Sequence, residues 1–298
     1  MHRFYVAPEN WNPDLPILTG PEAHHARDVL RMKPGGKAVL FNGRGRELTA
    51  EAVDVGRNQI RFRKLHETET APLRCRITLG QAIPKGKNMD LIVQKAVELG
   101  AARIAPLISE RTIVDLDPEE AVQKQAKWQQ VAIEAAKQCG QNWLPKISRP
   151  QKLQDFFASS PVGEAASFPP SSSTSDLPSP SSRLPAPGAG TSLRLIASLH
   201  PDAQPMKRIL ADYSPQFRSA SPLPLLEGEG GVRENVKIPN DHRPTNVLML
   251  IGPEGDFGPA ELALAKTHGC QPITLGPIIL RVETAAIYCL SILSYELL

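Results

Sequence analysis

The fold class of this protein is indicated by one stretch of sequence, Asn246-Val-Leu-Met-Leu-Ile-Gly-Pro-Glu-Gly-Asp-Phe-Gly-Pro259. It begins with a short apolar run typical of a buried strand, and the loop that follows contains three glycines. Pro259 suits the first turn of a helix, so a strand, a loop and a helix are expected in that order. In a parallel sheet, ligands bind beyond the carboxyl ends of the strands, where this loop would lie. The stretch therefore predicts an α/β fold with a ligand site at the loop.

A second loop of the same kind follows near the end of the chain. Ile273-Thr-Leu275 is strand-like, Gly276-Pro277 forms a turn, and residues 278–286 lead into a final helix. Because glycines let a backbone approach a ligand closely, the two loops together predict one pocket lined by apolar groups and backbone. Such a pocket suits a neutral adenosine and a sulfonium. It suits a pyrophosphate poorly, since both the dinucleotide fingerprint and the phosphate loop are missing. On spacing alone, two purely structural turns are an equally good interpretation.

The rest of the chain divides into two parts and two insertions. Residues 73–298 alternate strand-like and helix-like segments, which favours a parallel sheet covered on both faces. Residues 1–72 contain short strand-like segments and turns, which are typical of a small β-barrel. The insertions, 159–192 and 214–245, are rich in Ser, Pro, Gly or charged residues, and this composition predicts disorder.

Composition sets broad limits on function. The formal net charge of +3 is compatible with RNA binding but too small to indicate it. No apolar run has the length of a membrane span, and the N-terminus lacks the apolar stretch of a signal peptide. We therefore expect a cytoplasmic protein without a membrane partner. The four cysteines form no CxxC pair, so no metal site is expected.

Several motifs taken together resemble one family. Ile251–Phe257 and Leu275–Ala286 closely resemble the paired loops of the RsmE-type 16S rRNA (uracil-N3) methyltransferases of the SPOUT superfamily. Further segments agree with that family in the same order along the chain: Gln81–Asp90, Gln94–Gly100, Pro106–Thr112, Glu134–Gly140 and the early His24-His25 pair. The resemblance covers nearly the whole chain apart from the two insertions. The chain departs from the family at Gln141 and His200, where family members commonly have Arg and an acidic residue.

The resemblance implies a fold, a cofactor and partners. The fold is α/β, with a PUA-like β-barrel over residues 1–72 and a SPOUT methyltransferase domain with a trefoil knot over 73–298. The strand pattern alone would give an open Rossmann-like sheet, and chain knots are rare, so the knot depends on the resemblance. The family further implies S-adenosyl-L-methionine as cofactor, a homodimer, and methylation of one uridine N3 in the 16S rRNA of the 30S ribosomal subunit.

The resemblance and the loop positions also imply site residues. The catalytic candidates are Arg281, to stabilise negative charge on the base, with Glu254 and Glu283 to accept the proton or orient the cofactor. The expected cofactor contacts are Leu199, Gly252, Pro253, Glu254, Gly255, Leu275, Gly276, Leu280, Arg281, Thr284 and Ala285. The expected RNA contacts are Arg3, His24, Arg27, Arg31, Lys85, Lys87 and Arg111.

Competing interpretations remain at this point. Glu283 is equally well explained as an acid at a helix N-terminus, and Arg111 with Glu110 as a surface ion pair. A basic face on residues 1–72 is as compatible with plain solvation as with RNA. The enzyme could instead methylate a ribose 2′-O or a guanine, or the protein could be a non-catalytic RNA-binding ribosome-assembly factor. An oxidoreductase is disfavoured because no dinucleotide motif is present.

Overall fold

The computed structural model describes residues 1–112, 116–159, 192–213 and 243–298. The predicted insertions, 159–192 and 214–245, lie almost wholly outside these residues. Their described ends are ordered in the fold: Ser159 ends a helix, and Ser192 begins a strand.

The first domain is a five-stranded sheet with one short helix against it. Its elements are β1 (His2–Tyr5), β2 (Ile17–Thr19), α1 (Gly20–His24), β3 (Lys37–Phe41), β4 (Arg46–Val55) and β5 (Gln59–Glu69). The strand order is β1-β3-β4-β5-β2, antiparallel except for β1 beside β3. Side chains alternate between core and solvent, as Ile60 and Phe62 are buried while Arg61 and Arg63 are exposed. Among the described residues β1 and β2 do not pair, so the expected barrel is an open half-barrel.

The second domain is a parallel sheet with helices on both faces. Its elements begin with β6 (Arg76–Ala82), α2 (Asn88–Glu98), β7 (Ala101–Ile108), α3 (Pro118–Cys139), β8 (Lys146–Ile147), β9 (Gln151–Lys152) and α4 (Leu153–Ser159). They continue with β10 (Ser192–Ala197), β11 (Gln204–Pro205), α5 (Met206–Ala211), β12 (Asn246–Ile251), α6 (Pro259–Thr267), β13 (Gln271–Thr274) and α7 (Val282–Leu297).

The strand order explains where the decisive stretch lies. The order is β11-β13-β10-β12-β6-β7-β8, so β12 is central and pairs in parallel with β10 and β6. Helices α2, α3, α5 and α7 share a core with one face of the sheet, and α4 and α6 share a core with the other. Burial on both faces accounts for the continuously apolar sequence of β12. The sequence patterns predict a strand over 76–82 and a helix over 118–139, and the structure confirms both as β6 and α3 with the same bounds.

Strand order leaves the trefoil knot a prediction, because pairing alone does not trace how the connections pass one another. It also shows why β10, β12 and β13 matter for function. These three strands are neighbours and parallel, so the loops that follow them emerge side by side at one edge of the sheet.

The loop after α3 fastens the two domains together. The Gly45 N–H donates to the Asn142 carbonyl at 2.9 Å, and the Leu144 N–H donates to the Gly43 carbonyl at 3.0 Å. Gln141, where the chain departs from the family, accepts the next two backbone N–H groups with its side-chain oxygen at 3.1 and 3.3 Å. The departure therefore stabilises the connecting loop. No helix in the described ranges is long and apolar enough to span a bilayer.

Candidate active site

One cavity lies where the loops after β10, β12 and β13 meet. Its volume is about 310 Å³. Its walls are Ala197–Leu199, Ile251–Asp256, Thr274–Gly276, Ile278–Val282 and Ala285. The two Gly-Pro loops predicted to form one pocket therefore do so, and the loop after β10 closes the third side.

The cavity brings together every predicted cofactor residue except Thr284. That residue is exposed on α7, outside the lining. Helix α7 begins at Val282, with Arg281 as N-cap, so neither Glu283 nor Thr284 caps it. Eight further lining residues were not among the expected contacts, although all lie within or beside the predicted stretches: Ala197, Ser198, Ile251, Asp256, Thr274, Ile278, Ile279 and Val282.

Glycines shape the walls of the cavity. A Cβ on Gly252 would lie 3.0 Å from the Phe257 backbone nitrogen, so a larger residue there would push the loop apart. Gly276 has a φ of +118°, a conformation that L side chains rarely adopt. Most of the other lining residues are apolar, a composition suited to a neutral adenosine.

The charged side chains of the lining are Glu254, Asp256 and Arg281. Glu254 accepts the Lys85 backbone N–H at 3.2 Å, which connects the loop after β6 to the loop after β12. Arg281 is exposed at the mouth, and no ion pair holds it within the described part of the chain. Asp256 accepts hydrogen bonds with both carboxylate oxygens.

Glu283 lies beside the cavity but does not line it. Its Oε2 accepts the Asn88 side-chain amide at 3.2 Å. The sequence predicts Asn88, a residue type that favours this position, as the N-cap of α2, but the N-cap is Lys87 and Asn88 is the first helical residue. The side chain of Asn88 is therefore turned to α7, where it fixes Glu283.

A buried carboxylate that the sequence reasoning missed supports the loop after β12 from behind. Glu261 is 8% exposed and accepts from the Gly258 N–H at 2.9 Å and the Ser109 hydroxyl at 2.8 Å. Its other oxygen accepts the Glu110 N–H at 3.2 Å. Its place three residues after the N-cap of α6 was the available sequence signal. Arg111, which lies with Ser109 and Glu110 in the loop after β7, donates to the Gly255 carbonyl.

The predicted RNA contacts fall into different environments. Arg3 is mostly enclosed, donating to Glu47 and to Asn142 at 2.6 Å each, which argues against a direct phosphate contact. Arg27 holds Asp28 with two bonds of 2.6 Å, and this pairing lowers the pKa of Asp28 to about 2. His24 also contacts Asp28, whereas the remaining predicted residues are exposed: Arg31, Lys85, Lys87 and Arg111.

His200, the second departure from the family, is not part of the cavity lining. Its Nδ1 lies 2.5 Å from Asp202, whose other oxygen contacts Lys266 on α6. Lys266 and His200 hold the pKa of Asp202 below its usual value. The contact of Asp202 with Lys266 connects the outer part of the loop after β10 to α6.

Comparison with known proteins agrees with this architecture. The model of a family described as RNA methyltransferase domain matches residues 71–180 and 217–294, more than half of the chain. The chain belongs to the RNA methyltransferase family. A model of the RNA methyltransferase PUA domain matches residues 18–65, which confirms the expected PUA-like domain in front of the methyltransferase domain.

Individual relatives of this RNA methyltransferase cover nearly its whole length. A Legionella pneumophila protein, solved in complex with S-adenosylmethionine, is 31% identical. The alignment covers 98% of this chain and 96% of that chain, with a TM-score of 0.70. Ribosomal RNA small subunit methyltransferase E from Neisseria gonorrhoeae, solved with S-adenosylmethionine, is 27% identical over 99% and 97% of the two chains, with a TM-score of 0.70. The protein of the same name from Bacillus subtilis is 26% identical over 94% of this chain and 89% of its own.

Proposed function

We propose that this enzyme transfers a methyl group from S-adenosylmethionine to N3 of a uridine in 16S rRNA of the 30S subunit, in the cytoplasm. The observation that carries the proposal is the cavity at the ends of β10, β12 and β13. Its lining includes ten of the eleven residues that the family resemblance implies for the cofactor. Relatives that share the fold over their full length were solved with the same methyl donor.

The residues of the cavity fit the cofactor in size and chemistry. The backbone of Gly252–Gly255 and Leu275–Gly276 would hold the adenosine, and Leu199 and Leu280 would pack against it. When bound, S-adenosylmethionine supplies an activated methyl group on a sulfonium. The contribution of the chain is orientation of the two reactants and stabilisation of charge.

The target nitrogen sets the task of the charged residues. Uracil N3 carries a proton at neutral pH, and this proton must leave for the nitrogen to attack. Glu254 lines the cavity and has one oxygen held by the Lys85 N–H, so its other oxygen can accept the proton. Arg281, at the mouth, is placed to stabilise the negative charge that develops on O2 or O4. Glu283, held by Asn88 beside the cavity, is the alternative base.

The RNA would approach from the side of the exposed cations. Lys85 and Lys87 lie on the loop that covers Glu254, and Arg111 contacts the loop after β12. Phosphate contacts there would make binding depend on salt. The target base would have to leave its stack to reach the cavity.

We propose further that the enzyme works as a homodimer that pairs through α7. The exposed face of this helix carries Tyr288 (45% exposed) and Tyr295 (89% exposed), and Ile278 and Ile279 are exposed beside its start. A second copy on this face would cover these apolar groups next to the cavity. The homodimer is what the family resemblance implies.

The test of the proposed function is methyl transfer from labelled S-adenosylmethionine to 30S particles that lack their modifications. Nucleoside mass spectrometry of the product should show N3-methyluridine at one position. A 2′-O-methylnucleoside or a methylguanosine would instead support the other methyltransferase activities. Absence of both transfer and calorimetric cofactor binding would support a non-catalytic assembly factor.

A further inference from the structure

Asp256 occupies an unusual position in the loop after β12. Its φ is +71°, and in the described ranges Arg31 is the only other non-glycine residue with positive φ. Side chains are disfavoured in this region, and Asp and Asn are among the residues that tolerate it best. The same loop has glycine at 252, 255 and 258. A side chain kept at such a position suggests a task that glycine could not perform.

The side chain of Asp256 connects two walls of the cavity. Its Oδ2 accepts the Leu199 backbone N–H at 2.8 Å and the Ser198 hydroxyl at 3.0 Å. Its Oδ1 accepts the N–H of the next residue, Phe257, at 2.7 Å. The first two bonds join the loop after β12 to the loop after β10, and the third fixes the carboxylate in its own loop. Hydrogen bonds to a charged acceptor are the stronger kind.

The bond to Leu199 lies at the point where the sheet stops supporting the chain. The Ser198 N–H still donates to the Ile273 carbonyl at 2.9 Å, continuing the pairing of β10 with β13. The next N–H, that of Leu199, has Asp256 as its acceptor. The side chain of Leu199 is 60% exposed and lines the cavity, so packing does little to place it. Its position is therefore set through its backbone.

We propose that Asp256 is the positioning residue of the methyl-donor pocket. It sets the distance between the wall formed by Leu199 and the wall formed by Gly252–Gly255. This inference rests on the proposed function of the cavity as the S-adenosylmethionine site. Asp256 is not a base for the target proton, because both its oxygens already accept from backbone and hydroxyl donors.

The test is a calorimetric titration of S-adenosylmethionine into the wild-type protein, Asp256→Gly, Asp256→Asn and the control Asp54→Asn. Glycine removes the carboxylate hydrogen bonds between the two loops, but it also adopts a positive φ without strain. The melting temperature of Asp256→Gly should therefore lie close to that of the wild type. Its Kd for the cofactor should rise about 10- to 100-fold, the factor expected when a hydrogen bond to a charged group is lost. Asp256→Asn keeps one oxygen acceptor, so its Kd for the cofactor should lie between those of the wild type and Asp256→Gly. The Asp54 side chain is half-exposed and pairs with Arg61 in the first domain, and Asp54→Asn removes the same charge as Asp256→Asn.

The kinetics give a second readout. Under steady-state conditions, Asp256→Gly should raise the KM for S-adenosylmethionine and leave the KM for RNA unchanged, which a general loss of stability would not do. Equal cofactor affinity of Asp256→Gly and wild type would overturn the inference. If the glycine variant does not fold, Asp256→Asn decides in the same way, since Asn tolerates the positive φ. Wild-type protein that binds no S-adenosylmethionine would instead refute the proposed function itself.

Discussion

Arg281 and Arg3 show how differently one residue type can be used in this chain. Arg3 is enclosed between Glu47 and Asn142 and joins the two domains. Arg281 is the N-cap of α7, with extended backbone, and its guanidinium stands exposed at the mouth of the cavity. The helix start fixes the backbone of Arg281, and its guanidinium, with no ion pair in the described ranges, is available to a substrate oxygen that gains negative charge.

We therefore expect Arg281→Ala to lower the rate of methyl transfer by about 10²- to 10³-fold, the range for loss of one preorganised charge-stabilising donor. Cofactor affinity should fall much less, because most of the cavity wall is backbone and apolar side chain. Single-turnover transfer to unmodified 30S particles and calorimetry measure the two effects. Arg208→Ala, the same change at an exposed position of α5, should transfer at the wild-type rate. A wild-type rate for Arg281→Ala would refute its role.

Helix α7 serves two purposes at the scale of an element. Its inner face, including Ala286, Cys289 and Leu293, packs into the main core, and burial raises the pKa of the Cys289 thiol to about 12. Its first turn completes the cavity through Val282 and Ala285. The outer face, with Tyr288 and Tyr295, contributes to neither and is the surface we assign to the second copy.

Glutamate in place of both Tyr288 and Tyr295 should separate the two copies of the proposed homodimer. We expect Tyr288→Glu/Tyr295→Glu to sediment as a monomer, because a dimer would bury two charges per copy without partners. The folded monomer should keep its far-ultraviolet circular dichroism. Leu65→Glu, at an exposed position of β5, places the same charge elsewhere and should leave a dimer. Dimers of the double variant would exclude this face, and a monomeric wild type would exclude the dimer.

Across the whole molecule, local sequence patterns predicted the longer elements, such as the β6 strand and the 22-residue α3, but not the short helices α4 and α5. The paired Gly-Pro loops predicted the cavity, and ten of its eighteen lining residues are among the expected cofactor contacts. Contacts between distant segments were not predictable: Ser198 meets Asp256 across 58 positions, and Ser109 meets Glu261 across 152. Thr284, an expected cofactor contact, lies outside the lining, because the face on which a helical residue lies depends on where the helix begins.

The proposed function depends on binding of the methyl donor in the cavity between the loops after β10, β12 and β13. A crystal structure of the protein with S-adenosylmethionine tests it most directly. We expect density for the adenosine between Gly252–Gly255 and Leu275–Leu280, in contact with Leu199. The methyl group should point toward Arg281. Donor density at another place on the protein, or a cavity closed by its own side chains in crystals that contain the donor, would contradict it.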